Sequence, residues 1–174
     1  MNKKKISIIV VILTCMVLCC FYRYEKINKN IAKSYEKQEY HVGEDINLDN
    51  LLLSVKSYKV VQYNKGDNMD FFIKLQIRNM SSKIIDGSPI VYNSKLATNF
   101  EYQDAADIEN QDLNQLKILK PGDELNFTLR YSVLPGLKNK KNFKFYIANE
   151  LYKNQIMKKY KNLKFYSKYV YLKN

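Results

Sequence analysis

The three cysteines of the chain, Cys15, Cys19 and Cys20, all lie in one apolar stretch, residues 6–22, ISIIVVILTCMVLCCFY. No cysteine follows, so residues 23–174 can form neither a disulfide framework nor a thiolate metal site. A bacterial lipidation signal places an aliphatic residue three positions before the modified cysteine and a small residue directly before it. Cys20 and Cys15 meet the first condition and are the candidate lipidation sites. Neither has a well-fitting small residue directly before it. The pattern therefore favours an uncleaved anchor over a lipoprotein or a cleaved secreted form, and in such an anchor the cysteines are small apolar side chains.

Other chemistry-bearing residues are sparse. Acidic residues gather in residues 101–112, EYQDAADIENQD, but the alternating acids and the glycine of a calcium loop are missing, which favours a solvated acidic loop over a calcium site. The lone His41 has no second histidine or cysteine to share a metal. The serines Ser54, Ser57 and Ser132 fall within predicted strands and not on the strained turn that a nucleophilic serine occupies. We therefore expect a non-enzymatic protein without cofactor or metal.

Positive charge concentrates at the carboxyl-terminal end. Residues 137–174 hold eleven lysines and one glutamate, a net charge of +10 within a total of +12. Lysines interleaved with aromatic residues can bind nucleic acid, but we expect none for a domain outside the cell. Anionic lipid headgroups or cell-wall polymers fit that location, at about 1 kcal/mol per lysine near an anionic membrane. The candidate polyanion-binding residues are Lys158, Lys159, Lys161, Lys164 and Lys168. The alternative is a solvated strand face with lysines outward and aromatics inward, and the two differ in whether the lysines converge.

The amino-terminal segment predicts an export signal or a membrane anchor. Residues 6–22, as a helix, extend over about 25 Å, the short end for a spanning helix. Lys3, Lys4 and Lys5 precede this apolar run, as in secretory signals. Residues 1–22 are thus a predicted signal or transmembrane anchor, contacting the membrane through residues 6–22. Cations on both flanks nearly balance, and the basic start favours a domain on the extracellular face of the cell membrane.

Residues 23–39, RYEKINKNIAKSYEKQE, predict a helical stalk or linker. Ile27, Ile31 and Tyr35 recur at the four-residue spacing of one helix face on an otherwise charged segment.

From residue 40 onward the pattern changes to that of strands. Residues 70–79 and 123–133 alternate apolar and polar side chains, as in a strand with one buried face. Further strands are predicted at 51–63, 143–149 and 164–172, two short pieces at 84–92, and a short helix or irregular crossover at 150–163. Turn clusters separate these segments. The class expected for residues 40–174 is all-β, an immunoglobulin-like antiparallel β-sandwich with a basic carboxyl-terminal strand region.

The order of three features resembles a known family. A VGE tripeptide (42–44) precedes the strand SVKSYKVV (54–61), the strand FFIKLQIRNMSSK (71–83) ends in a small polar turn, and LKPGDELNFTLRYSV (119–133) follows. This order resembles the telokin-like, immunoglobulin-like domain of Gram-positive surface lipoproteins and membrane-anchored proteins, a family of unknown molecular function. The resemblance covers about residues 40–148 and implies a fold but no catalytic residue.

Three function classes follow from the sequence. The first is a membrane-tethered extracellular binding domain that docks on the anionic cell envelope, or on a surface protein, through its Lys/Tyr-rich carboxyl-terminal region. The second is a surface immunity or peptide-sequestering protein whose acidic loop 101–112 attracts a cationic peptide. A small hydrolase is the third, and it requires a deep pocket in which aspartates converge with His41.

Overall fold

The computed structural model describes residues 3–62, 69–98, 101–105, 107–109, 112–133 and 142–173. In chain order the elements are α1 (Lys3–Asn28), β1 (Ser34–Tyr40), β2 (Asp45–Asn47), β3 (Leu51–Gln62), β4 (Met69–Asn79), α2 (Pro89–Tyr92), β5 (Lys95–Thr98), β6 (Glu101–Asp104), β7 (Asp107–Glu109), α3 (Leu113–Lys117), β8 (Glu124–Val133), β9 (Asn142–Tyr146), a 3₁₀ turn (Asn149–Tyr152), α4 (Lys153–Tyr160) and β10 (Lys164–Lys173).

The strands form two five-stranded sheets packed face to face. The first sheet has the order β1-β10-β9-β5-β6 and the second the order β2-β3-β4-β8-β7. Apart from β1, which runs parallel to β10, the paired strands are antiparallel. Inward-facing apolar side chains of both sheets make one core. The predicted all-β sandwich is confirmed at this level, with one parallel edge strand that the sequence did not predict.

The long central strands follow the alternation in their sequences. In β4, Phe71, Ile73 and Leu75 are buried, whereas Lys74 between them is exposed. In β8, Phe127 and Leu129 are buried in the same way and pair with Leu75 and Ile73. Side chains alternate across a strand, so each apolar row faces the core.

The amino-terminal helix is present as α1, but it ends at Asn28. The transmembrane alternative is not confirmed: among the helices that the described residues form, none is both long and apolar enough to cross a membrane.

The predicted helical stalk over residues 23–39 is wrong in its second half. Ser34–Tyr40 is a strand, and it pairs with β10 from Ser34↔Lys164 to Tyr40↔Val170. The spacing of Ile27, Ile31 and Tyr35 suggested a helix, yet hydrogen bonding to the edge of β10 outweighs so weak a pattern. The sandwich consequently begins at Ser34 and not at residue 40.

Residues 84–92 were predicted as two strand pieces, and this is also wrong. Ile85 forms an isolated bridge with Leu119, and Pro89–Tyr92 is a short helix with proline at its first turn. The predicted helix within 150–163 is confirmed as the 3₁₀ turn followed by α4.

Two turns that carry the family resemblance form as their residues suggest. Gly122 has a φ of 81°, and Asp123 accepts a hydrogen bond from the Lys120 N–H at 2.8 Å, which closes the turn into β8. At the end of β4, the Asn79 amide donates to the Lys83 and Leu119 carbonyls at 2.7 and 2.8 Å. Side-chain hydrogen bonds therefore end the strand.

Candidate functional site

Lysines gather at one end of the sandwich, where α4 leads into β10. Lys158 and Lys161 are exposed there and make no ion pair within the part of the chain that the structure describes. Lys164 begins β10 and is also exposed. Lys158 and Lys161 can therefore meet a solvent-borne or surface-bound anion directly.

A backbone contact adds lysines from the amino-terminal side. The Lys33 N–H donates to the Leu163 carbonyl oxygen at 3.0 Å, in the turn between α4 and β10. Lys29 and Lys33, which follow α1 directly, are both exposed. We name this cluster the basic end and define it as Lys29, Lys33, Lys158, Lys161 and Lys164. It joins two segments about 130 positions apart in the sequence, which places the end of α1 next to the α4–β10 turn.

Glu36 in β1 partly neutralises the basic end. Its carboxylate pairs with Lys159, and with Lys164 at 3.3 Å. The hydrogen bond from Lys159 lowers the pKa of Glu36 below its usual range, with a smaller contribution from Lys164. Lys159 also lies 5.4 Å from the Tyr166 ring centre, so it is engaged on two sides. Of the predicted polyanion-binding residues, Lys159 and Lys164 thus already hold a carboxylate.

Lys168 does not belong to a polyanion surface, and its prediction as a binding residue is wrong. Only 2% of the residue is exposed. Its ammonium group donates to the Asn47 carbonyl oxygen and lies 5.7 and 5.6 Å from the ring centres of Tyr40 and Tyr152. The alternation of β10 explains this, because Lys168 shares its inward face with Tyr166 and Val170.

Burial shapes the chemistry of Lys168. Loss of hydration lowers its pKa from 10.5 to about 8, and Asp49 offsets part of this effect. The Tyr152 hydroxyl accepts a hydrogen bond from the Lys168 backbone N–H at 3.1 Å and donates to Asn149 Oδ1 at 2.7 Å. Lys168 therefore links β10 to β2 across the edge of the sandwich, a structural role.

Three described aspartates of the acidic segment 101–112 contact other residues of the domain. Asp104 pairs with Lys95, Asp107 lies 3.7 Å from Arg130, and Asp112 caps α3 by accepting the Asn114 N–H at 2.9 Å. No group of three metal-ligating side chains occurs among the residues with described positions. Asp104, Asp107 and Asp112 thus each have a partner within the domain, and Asp104 and Asp107 are still 71% and 54% exposed.

His41 lies in the turn after β1, where its backbone N–H donates to Glu44 at 2.9 Å. Ser54, Ser57 and Ser132 lie in β3 and β8 as predicted. A groove of about 270 Å³ crosses the outer face of the second sheet and includes Phe72, Lys74 and Glu109 in its wall. Neither histidine nor aspartate lines it, so this groove does not support the hydrolase alternative.

The candidate lipidation residues Cys15 and Cys20 lie on α1, and both are exposed, as is Cys19. Large apolar neighbours are exposed as well: Leu18 and Phe21 show 62% and 65% of their surface. Such a surface is typical of a segment that contacts lipid or another apolar surface.

Glu36 is the residue of the candidate site that sequence analysis did not predict. It stood in a segment predicted as helical, and SYEKQEY has no apolar alternation that would indicate a strand. Its pairing with Lys159 and Lys164 depends on the parallel register of β1 and β10.

No protein-family model and no curated protein matches this chain. Among solved structures, an uncharacterized β-sandwich protein of Clostridium difficile superposes with a TM-score of 0.53 at 8% identity, covering 81% of this chain and 97% of that chain. A candidate lipoprotein of Bacillus subtilis gives 0.44 at 12% identity over 59% of this chain and 32% of its own. A protein of unknown function from Listeria monocytogenes gives 0.48 at 12% identity over 63% and 73%. The first of these similarities identifies the chain as a β-sandwich protein.

Proposed function

We propose that this protein is a non-enzymatic binding domain that docks on anionic lipid headgroups through its basic end, on the extracellular face of the cell membrane. The observation that carries the proposal is the Lys33–Leu163 hydrogen bond. It joins the segment after α1 to the α4–β10 turn, and so brings the backbone next to Lys33 close to the backbone between Lys161 and Lys164.

The apolar surface of α1 supports the membrane as the partner. Val11, Leu13 and Leu18 are each more than half exposed, and burying such side chains in an apolar phase is worth roughly 1.5–3 kcal/mol each. Lysines next to an apolar helix would meet phosphate groups at the level of the headgroups. The basic start Lys3–Lys5 before residues 6–22 is typical of exported chains and supports the outer location.

Exposure and ion pairing indicate which lysines are available to bind an anionic surface. Lys158 and Lys161 are exposed without an ion pair among the described residues, whereas Lys159 and Lys164 share Glu36. Lys168 is buried. Lys158 and Lys161 are therefore the residues whose charge acts most directly on an anionic surface.

The test compares the full-length chain on vesicles that contain phosphatidylglycerol with its binding to pure phosphatidylcholine vesicles. The ratio of the two affinities isolates the charge effect, since the apolar contribution of α1 is common to both. Lys158→Gln with Lys161→Gln should lower this ratio roughly tenfold to thirtyfold, because each lysine contributes about 1 kcal/mol near an anionic membrane. High salt should lower the wild-type ratio as well.

The matched control removes the same charge elsewhere. Lys56 and Lys83 are exposed and lie outside the basic end, so Lys56→Gln with Lys83→Gln should change the ratio much less. Equal losses for both pairs would indicate a general effect of net charge, and an unchanged ratio for the Lys158 and Lys161 pair would refute docking through the basic end.

We further propose that the sandwich is of the telokin-like, immunoglobulin-like type. The turn at Gly43, with a φ of 92°, leads into β2 and β3, and the turn at Gly122 leads into β8, in the order in which that type has them.

Cys20 or Cys15 would carry the lipid if the chain is processed as a lipoprotein. Mass spectrometry of the membrane-extracted protein distinguishes an unmodified Met1 start from a diacylated cysteine.

A further inference from the structure

The outer face of the first sheet is lined by aromatic rings. Strand alternation directs six aromatic side chains outward from β1, β6, β9 and β10. They are Tyr35, Tyr102, Tyr146, Phe165, Tyr169 and Tyr171. We call this surface the tyrosine face. The five strands beneath it extend over about 19 Å, at a spacing of about 4.8 Å between neighbours.

Ring contacts join five of these side chains into two groups. The ring centres of Tyr102 and Tyr146 are 6.0 Å apart, and those of Tyr146 and Tyr169 are 5.3 Å apart. Tyr35 stacks on Phe165 with an angle of 29° between the ring planes. Tyr35, Tyr102 and Phe165 expose 57%, 60% and 44% of their surface. Tyr169 is buried and Tyr146 and Tyr171 are half-buried, so the exposed rings of Tyr35, Tyr102 and Phe165 provide most of the surface for a flat, partly apolar ligand.

Charged groups lie over two of the rings and hydrogen-bond to one of them. Lys37 lies 5.3 Å from the ring centre of Tyr35, and Lys144 lies 4.9 Å from that of Tyr169. The Tyr169 hydroxyl donates to the Glu39 carboxylate. At the described outward positions of this sheet, no aliphatic side chain is larger than Ala97. The face therefore combines ring surfaces with hydrogen-bonding groups but lacks the aliphatic anchors of a hydrophobic protein interface.

We propose that the tyrosine face binds a neutral glycan chain. Sugar rings present C–H surfaces that stack on aromatic rings, and hydroxyl groups that bond to carboxylate and ammonium groups. A polyanion fits less well, because Glu39 and Asp104 offset two of the three charges of Lys37, Lys95 and Lys144 on the same face. The proposal uses residues outside the basic end and does not depend on membrane docking.

The experiment titrates the full-length chain, in a detergent without sugar groups, with hexamers of N-acetylglucosamine and of glucose, followed by calorimetry. We expect saturable binding of at least one probe, insensitive to salt. Tyr102→Ala and Tyr35→Ala should each weaken it about three- to tenfold, the size of one stacking contact. Tyr102→Phe, which keeps the ring, should retain most of the affinity.

Tyr92 supplies the matched control: it is 53% exposed but lies in α2, outside the tyrosine face. Tyr92→Ala should leave binding unchanged, and unaltered thermal unfolding of all variants excludes misfolding as the cause of a loss. Absence of saturable binding to either probe, an equal loss with Tyr92→Ala, or stronger and salt-dependent binding of a polyglycerol phosphate would overturn the proposal. Loss of vesicle binding by the lysine variants with glycan binding intact would leave it standing.

Discussion

The ammonium group of Lys168 lies 5.6 Å from the ring centre of Tyr152 and 5.7 Å from that of Tyr40. Lys168 joins the two sheets through the Asn47 carbonyl at the end of β2, and Tyr152 ties the 3₁₀ turn to the backbone of β10. A lysine in the core costs free energy because its charge loses hydration, and the ring faces and the carbonyl return only part of that cost.

Lys168 should make stability depend on pH in the alkaline range. Its folded-state pKa is lowered to about 8, against 10.5 for an ordinary lysine. Between these values the unfolded chain binds more protons than the native chain, so this group's contribution to the free energy of unfolding rises with pH, by up to about 3 kcal/mol. Urea unfolding at several pH values should show the rise in the wild type relative to Lys168→Met.

The test depends on the difference in free energy of unfolding between the wild type and Lys168→Met, because other groups titrate in both proteins. Burial raises the pKa of Tyr166 and Tyr169 to about 12, so above pH 10 the unfolded state binds fewer protons than the native state and both proteins lose stability. Parallel stability curves for wild type and Lys168→Met between pH 8 and 10 would show that Lys168 does not titrate in the core.

The Tyr152 hydroxyl should contribute more to stability than that of Tyr131, although both tyrosines are buried. In Tyr152→Phe the backbone N–H of Lys168 loses its 3.1 Å acceptor inside the domain, at a cost of about 1–3 kcal/mol. The Tyr131 hydroxyl makes a long bond to the Ser94 carbonyl, 3.4 Å, and Tyr131→Phe should cost less than about 1 kcal/mol. Comparison of urea midpoints checks the order, and equal losses would contradict it.

Gly87 is required by packing. A Cβ there would lie 2.7 Å from Leu119 Cδ1 and 3.3 Å from Ile77 Cδ1. Gly87→Ala should therefore destabilise the domain by about 1–3 kcal/mol through overpacking. Leu119→Ala should relieve much of this loss in the double variant, a favourable coupling that a double-mutant cycle measures.

Gly122→Ala is the control for the Gly87 experiment. Gly122 has a φ of 81° but open space around its Cα, so the substitution should cost roughly 1–2 kcal/mol through backbone strain alone. Combining it with Leu119→Ala should give additive losses. An additive result for Gly87→Ala would indicate that Leu119 moves aside without cost.

Much of the sandwich was predictable because β3, β4 and β8 bury one face each. Alternation such as Phe71-Ile73-Leu75 against Lys74 follows directly from that environment. Strand β1 was not predictable in this way. Its residues from Ser34 to Glu39 are exposed or half-buried on both faces, so its sequence has no period, and its strand state comes from pairing with β10 far along the chain.

The sequence predicted a lysine-rich surface in the carboxyl-terminal region, but not which lysines belong to it. Whether a lysine is exposed to solvent depends on its position in the strand and on what packs over it. Lys164 and Lys168 lie on the same side of β10, yet Lys164 is exposed at the sheet end and Lys168 is covered by the Tyr152 ring. Only the three-dimensional contacts separate them.

Glu36 should restrain docking on anionic membranes. Its carboxylate pairs with Lys159 and Lys164, which otherwise would add to the free charge of Lys158 and Lys161. Glu36→Gln removes one negative charge from the basic end, so the ratio of affinities for phosphatidylglycerol and phosphatidylcholine vesicles should rise by several-fold at low salt.

Glu44→Gln, which removes a charge in the turn before β2, is the control and should raise the ratio less. A ratio that falls in Glu36→Gln would mean that β1 detaches without the ion pairs, and the stability of the same variant in urea would then fall with it; an unchanged ratio with unchanged stability would exclude Lys159 and Lys164 from the docking surface.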